Sequence, residues 1–264
     1  MSNQKEMTLP YDKVVLDIEG TICPISFVKD ELFPYFLKQL PSILSKYTFP
    51  LSETKSNDNL SNDTAILDIL NKFPSEKTKS KPDLLSYINS LVDNDIKDPV
   101  LKQLQGFIWE KGYTSGNILA PLYDDAIEAM KTWSAILPEN SIYIYSSGSV
   151  KAQKLLFANV KVTNKQGSIT STDLNGLIDD YFDTVNIGSK LVSESYEKIL
   201  QKINTPEDKK NQTLFLSDNP KEVEAALSAG MSSYIVVRSG NSPLAPEQEK
   251  QFKVLTSFDA LIPN

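Results

Sequence analysis

With no histidine among its 264 residues and a single cysteine, Cys23, the chain is barred from Ser-His-Asp triads, Cys-His pairs, internal disulfides and the usual zinc sites. A formal net charge of −7 argues against a nucleic-acid or anionic-membrane surface, although a metal and a few donors can still hold a small anionic substrate. The 40% apolar and 23% charged content is that of an ordinary globular protein, long enough for one large domain or a core with an insertion.

Residues 1–10 are polar and lack the apolar stretch of a signal peptide, and no run reaches membrane-spanning length. An intracellular, soluble protein is expected, with Cys23 as a buried structural thiol in a reducing compartment. Acid–base chemistry then falls to Asp, Glu, Lys, Tyr or a metal-bound water.

The first element is Val14-Val15-Leu16, an apolar, β-branched run of the kind buried on both faces of a parallel sheet. It ends in Asp17-Ile18-Glu19-Gly20-Thr21, where Gly20 permits a tight turn. Asp17 therefore falls at the carboxyl end of a buried strand, where open α/β sheets place their ligands. Glu19 lies close enough to share the crevice, and two crowded carboxylates call for a cation or a shared proton.

Helical spacing runs from Ile25 to Leu40, with Pro34 as a kink and Pro41 as a stop. Pro50–Asp63 is polar and reads as a mobile surface loop. Helices are expected over Thr64–Phe73, Asp83–Asp95 and Val100–Lys111, with no strand between them. The region reads as a helical insertion over 23–117, between the first strand and the rest of a core made of 1–22 and 118–264.

The α/β rhythm then returns. A helix is expected over Leu122–Leu137, a strand over Ser141–Tyr145, and a helix over Val150–Asn159 capped by Ser149. Lys161–Asn175 reads as an irregular loop, Tyr181–Val185 as a strand, Ser193–Ile203 as a helix and Thr213–Leu216 as a strand. Asn219-Pro220 starts a helix that Gly230 stops, Tyr234–Val237 is a strand, and Leu255–Leu261 a last small element. Strands alternating with helices predict an α/β fold: a doubly wound parallel-sheet core with an inserted helical cap.

Polar residues at three later strand ends complement the first. Ser146 and Ser147 precede a helix start and make an anion site with its free N–H groups. Lys190 precedes a helix, an unfavourable place for a cation, and judged alone it reads as a surface lysine or as part of the site. Asp218 follows Leu214-Phe215-Leu216-Ser217 and is placed to share a cation with Asp17 and Glu19, an oxygen set that suits Mg²⁺. Glu222 fits a capping-box variant with Asn219 and is a weaker candidate for supporting the site.

Acid-x-acid, hydroxyl, lysine and acid at successive strand ends resemble the haloacid dehalogenase superfamily, with Glu19 standing where its phosphatases usually carry Asp. The runs Asp17-Ile18-Glu19-Gly20-Thr21, Pro24-Ile25-Ser26-Phe27-Val28-Lys29, Leu32-Phe33-Pro34-Tyr35, Leu101-Lys102-Gln103-Leu104-Gln105-Gly106 and Tyr143–Val150 narrow the match. They closely resemble the acireductone synthases, the bifunctional enolase-phosphatases of methionine salvage. Gln153–Phe157 and Ser193–Tyr196 extend the similarity over core and insertion.

The resemblance implies conversion of 2,3-diketo-5-methylthiopentyl 1-phosphate to 1,2-dihydroxy-3-keto-5-methylthiopentene and phosphate. It implies Asp17 as the nucleophile, Glu19 as acid–base, Ser146, Ser147 and Lys190 on the phosphate, and one Mg²⁺ held by Asp17, Glu19 and Asp218. A cap covering the site, a monomer, and a cytoplasmic or also nuclear location are expected with it. Phe27, Phe107 and Trp109 are candidates for the methylthio end, or else simply part of the cap's own core. Two rivals remain: another cap-bearing, Mg-dependent small-molecule phosphatase, and a phospho-acceptor signalling domain, which lacks a long helical insertion after its first acid.

Overall fold

The structure is a computed structural model that describes residues 9–53, 61–96 and 98–263. Its chain divides into two compact units: Val28–Ile118, and the described part of Met1–Phe27 together with Leu119–Asn264.

The Val28–Ile118 unit is helical. A π-turn, Val28–Leu32, leads into α1 (Phe33–Leu44), followed by α2 (Ser61–Leu70), α3 (Lys81–Asp93) and α4 (Pro99–Thr114). Pro34 sits in the first turn of α1, where its missing N–H costs nothing. Pro41 does not end α1 as the sequence suggests; it lies inside it, on the exposed face. Leu40 and Leu44 on either side are wholly buried, and their packing holds the helix across the lost hydrogen bond. Ser80 and Asp98 cap α3 and α4 by accepting from Asp83 N and Leu101 N.

The expected loop over 50–63 is only partly a loop. Leu51–Glu53 is a 3₁₀ turn with Leu51 buried, and α2 begins at Ser61; 54–60 lie outside the described residues, as do 1–8 of the polar N-terminal stretch. Phe36, Leu40, Leu84, Ile88, Leu104 and Ile108 centre this unit's core, and Phe107 and Trp109 pack against it. Trp109 Nε1 donates to Leu32 O at 2.9 Å, so its polar end is occupied inside the unit as well.

The other unit is α/β. In chain order it holds β1 (Lys13–Leu16), α5 (Asp124–Ile136), β2 (Ile142–Ser146), α6 (Val150–Ala158), β3 (Val160–Thr163), β4 (Ile169–Thr172), β5 (Asp180–Asp183) and α7 (Ser193–Lys202). Then follow β6 (Thr213–Ser217), α8 (Pro220–Ser228), β7 (Ser232–Val236), α9 (Pro246–Gln251) and β8 (Val254–Leu255). Six strands form one wholly parallel sheet in the order β5-β2-β1-β6-β7-β8.

β1 is central. Val14, Val15 and Leu16 are fully buried and pair with β2 on one side and β6 on the other. The chain winds outward from β1 first through β2 and β5 and then through β6, β7 and β8. The carboxyl end of β1 is therefore the place where the winding reverses and a crevice opens. Val15, Tyr145, Phe182, Tyr196, Ile199 and Phe215 pack into one cluster that fixes α7 and α8 to the sheet.

Two expectations are corrected here. Lys161–Asn175 is not an irregular loop: β3 and β4 pair antiparallel as a hairpin, Val160↔Thr172 to Thr163↔Ile169. Its strands are mostly solvated, so no apolar alternation marks them. The strand expected over Tyr181–Val185 ends at Asp183, and Val185 is 91% exposed.

Candidate active site

Asp17, Glu19, Ser146, Ser147, Lys190, Asp218 and Glu222, with Ile25, line one pocket of about 140 Å³ in the α/β unit. Every strand-end residue that the sequence marked for the site is among them, whereas Phe27, Phe107 and Trp109 are not. Strand register accounts for the convergence. Leu16 aligns with Ile144 of β2 and Leu216 of β6, so the residues that follow each strand emerge at the same edge of the sheet.

Asp17 is buried, and each of its oxygens is held. Oδ1 accepts from Ile18 N at 2.8 Å and pairs with Lys190 Nζ at 2.5 Å, while Oδ2 accepts from Ser217 Oγ at 3.3 Å. Such anchoring fixes the carboxylate in one orientation, as a weak nucleophile would require. Lys190 also pairs with Glu222 Oε2 at 2.7 Å. Its burial opposes the ammonium charge, but Asp17 and Glu222 outweigh that penalty and hold its pKa above the usual lysine range. A lysine between β5 and α7 thus avoids the cost of preceding a helix start, because two carboxylates neutralise it.

Glu222 belongs to the site, and the capping-box reading of it is replaced. Its side chain takes Lys190 and the Ser217 hydroxyl (2.8 Å), while Asn219 caps α8 by itself, accepting from Lys221 N at 3.0 Å. Burial pushes the Glu222 carboxyl up, Asp17 adds to the effect, and Lys190 opposes it.

Asp218 is pushed up to about 7, first by burial and then by the Asp17 and Glu222 charges, with Lys190 acting against them. Gly20 makes its position possible. This glycine has φ +75°, and a side chain there would run into the Asp218 carboxylate.

The hydroxyl side of the pocket is braced from below. Ser146 Oγ accepts from Gly148 N at 3.3 Å, and Ser149 caps α6 by accepting from Ala152 N. Asp183, at the end of β5, accepts from Val150 N, Val185 N and Asn186 N. Gln153 Nε2 donates to Gly148 O at 2.7 Å and Phe182 O at 2.9 Å. The sequence offered one signal for Asp183, an acid closing an apolar run.

Four carboxylates face one lysine in this pocket, a surplus of negative charge that a hard cation would relieve. Among the described residues, no three His, Cys, Asp or Glu side chains close into a metal cage by themselves. Mg²⁺ does not require one, since it takes one or two carboxylates and completes its shell with waters and a substrate phosphate. The oxygen donors and uncompensated anions fit that ion. Cys23 is buried, and no helix among the described residues is long and apolar enough to cross a membrane.

Residues 11–230 match the family described as haloacid dehalogenase-like hydrolase. Enolase-phosphatase E1 of Candida tropicalis is 49% identical over 95% of this chain and 98% of its own length. That of Komagataella phaffii is 48% identical over 94% and 98%. The crystal structure of the Saccharomyces cerevisiae UTR4 protein, 40% identical, superposes with a TM-score of 0.74 over 94% of this chain and 99% of that one. CbbY from Rhodobacter sphaeroides, at 11% identity and a TM-score of 0.53, covers 96% of this chain and 99% of its own and shares the fold alone. The chain belongs to the enolase-phosphatase E1 family of haloacid dehalogenase-like hydrolases.

Proposed function

We propose that this phosphatase is an acireductone synthase, which enolises 2,3-diketo-5-methylthiopentyl 1-phosphate and then dephosphorylates the enol. The observation that carries the reading is the single pocket in which Asp17, Glu19, Ser146, Ser147, Lys190 and Asp218 meet, with Lys190 drawn onto the Asp17 carboxylate.

In the phosphatase step, Asp17 attacks phosphorus, the bond to the enol oxygen breaks, and Glu19 protonates that oxygen. The resulting acyl phosphate on Asp17 is hydrolysed by a water whose proton Glu19 takes back, restoring both residues. Ser146 and Ser147 donate to the phosphoryl oxygens, and Lys190 offsets their charge. In the enolisation, Glu19 takes the C1 proton and delivers it to the C2 carbonyl oxygen, ending as it began. Mg²⁺, held by Asp17, Glu19 and Asp218, would supply charge neutralisation at the phosphoryl oxygens and polarise the diketone.

Purified protein given Mg²⁺ and the diketone phosphate is expected to release phosphate and to develop the ultraviolet absorbance of the acireductone. Phosphate release without that absorbance would leave a phosphatase of another small ester. Neither signal would remove the reading altogether. Asp17→Asn is expected to lower phosphate release by at least about a thousandfold, because the amide that replaces the carboxylate is not a nucleophile toward phosphorus.

A further inference from the structure

Among the described residues, Lys190 is the only cation lining the pocket, and its ammonium lies 2.5 Å from Asp17 and 2.7 Å from Glu222. It reaches both from Ile187–Leu191, a run that belongs to no helix or strand. A long side chain on an unsupported loop would sample many positions, and fixing it costs conformational entropy. The loop is therefore expected to be held by something else.

Three side chains hold it by its carbonyls. Lys198 Nζ donates to Ile187 O at 3.3 Å, the Tyr145 hydroxyl to Gly188 O at 2.9 Å, and the Tyr196 hydroxyl to Lys190 O at 2.8 Å. Both phenols are fully buried, their rings meet edge to face at 5.5 Å, and Tyr196 also meets Phe215 at 5.0 Å. Phenylalanine would fill nearly the same core volume, yet both hydroxyls reach backbone carbonyls of the lysine's own loop. The loop also packs tightly against the start of α7: Gly188 has φ +134°, and a Cβ there would lie 2.8 Å from Ser195 Oγ. Tyr145 directly precedes Ser146, so one strand end carries both a phosphate-facing hydroxyl and an anchor for the lysine loop. The Lys190 ammonium lies 5.6 Å from the centre of the Tyr145 ring.

We infer that Tyr145 and Tyr196 are positioning residues for Lys190, their hydroxyls fixing the backbone from which the ammonium reaches the phosphoryl group. This rests on the reading of Lys190 as a phosphate-holding residue.

The test is a double-mutant comparison read by calorimetric titration of inorganic phosphate into the protein at saturating Mg²⁺. Tyr196→Phe and Tyr145→Phe are each expected to weaken phosphate binding about fivefold, the worth of one hydrogen bond. In a Lys190→Met background the same changes should shift affinity by less than about twofold, because the group they position is gone. Tyr143→Phe is the control. Its hydroxyl donates to Asn140 O at 2.6 Å near the other end of the same strand, and its loss should lower the melting temperature while leaving phosphate binding unchanged.

Equal losses in the two backgrounds, or unaltered affinity in a folded Tyr145→Phe/Tyr196→Phe double variant, would overturn the inference alone. Equal phosphate binding by wild type and Lys190→Met would overturn the reading of Lys190 and this inference with it. Should Tyr145→Phe not fold, Tyr196→Phe by itself carries the comparison.

Discussion

Asp218 stands among anionic neighbours in the pocket. Its carboxyl is pushed up to about 7 by burial and by its anionic neighbours. The folded state thus holds this proton more tightly than the unfolded chain does. The contribution to stability is complete below the ordinary carboxylate range and is lost as pH rises through 7. Metal-free protein is accordingly expected to melt at a lower temperature near roughly pH 8 than near roughly pH 5. Asp218→Asn should shrink that difference while abolishing turnover, a pairing that thermal melts in a chelator and a phosphate-release assay would check. Gly20→Ala is the steric counterpart. A positive φ costs alanine about 1 kcal/mol before the collision with Asp218 is counted, so a loss of about 1–3 kcal/mol in urea unfolding is expected, together with weaker Mg²⁺ binding.

Among the elements, those with a single physical cause were legible in the sequence. β1 could be read because an apolar, β-branched run stops at an acid, and α6 and α8 because Ser149 and Asn219 announce their starts. The β3–β4 hairpin could not, since Lys161, Thr163, Thr170 and Ser171 carry no inward-facing stripe. Pro41 misled for the opposite reason: a local rule was overridden by two buried leucines. At the site, Glu222 was only a weaker candidate because one spacing fits both a capping box and an ion pair. Tyr145 and Tyr196 were invisible because aromatic residues in a strand and a helix read as core. Asp183 joins β5 to the N-terminus of α6 by accepting from Val150 N. Asp183→Ala should therefore loosen the Ser146–Ser149 turn, costing about 1–2 kcal/mol of stability. Steady-state kinetics should show KM for the phosphate ester rising more than kcat falls.

Over the whole molecule, the two units have separate cores, one centred on Leu40, Leu84 and Leu104, the other on Val15, Tyr196 and Phe215. Leu104→Ala empties a fully buried position and is expected to cost about 2–5 kcal/mol. Hydrogen exchange should quicken across 28–118 while the amides of β1 and β6 keep their protection; faster exchange in β1 would show that the cores unfold together.

The central place of β1 has a consequence for synthesis. Its two hydrogen-bonded neighbours begin at Ile142 and Thr213, so as the chain leaves the ribosome Lys13–Leu16 emerges long before either is made. Through most of translation this apolar segment has bare edges on both sides. A nascent chain paused within the helical insertion should be the species that chaperones bind and that aggregates when they are scarce.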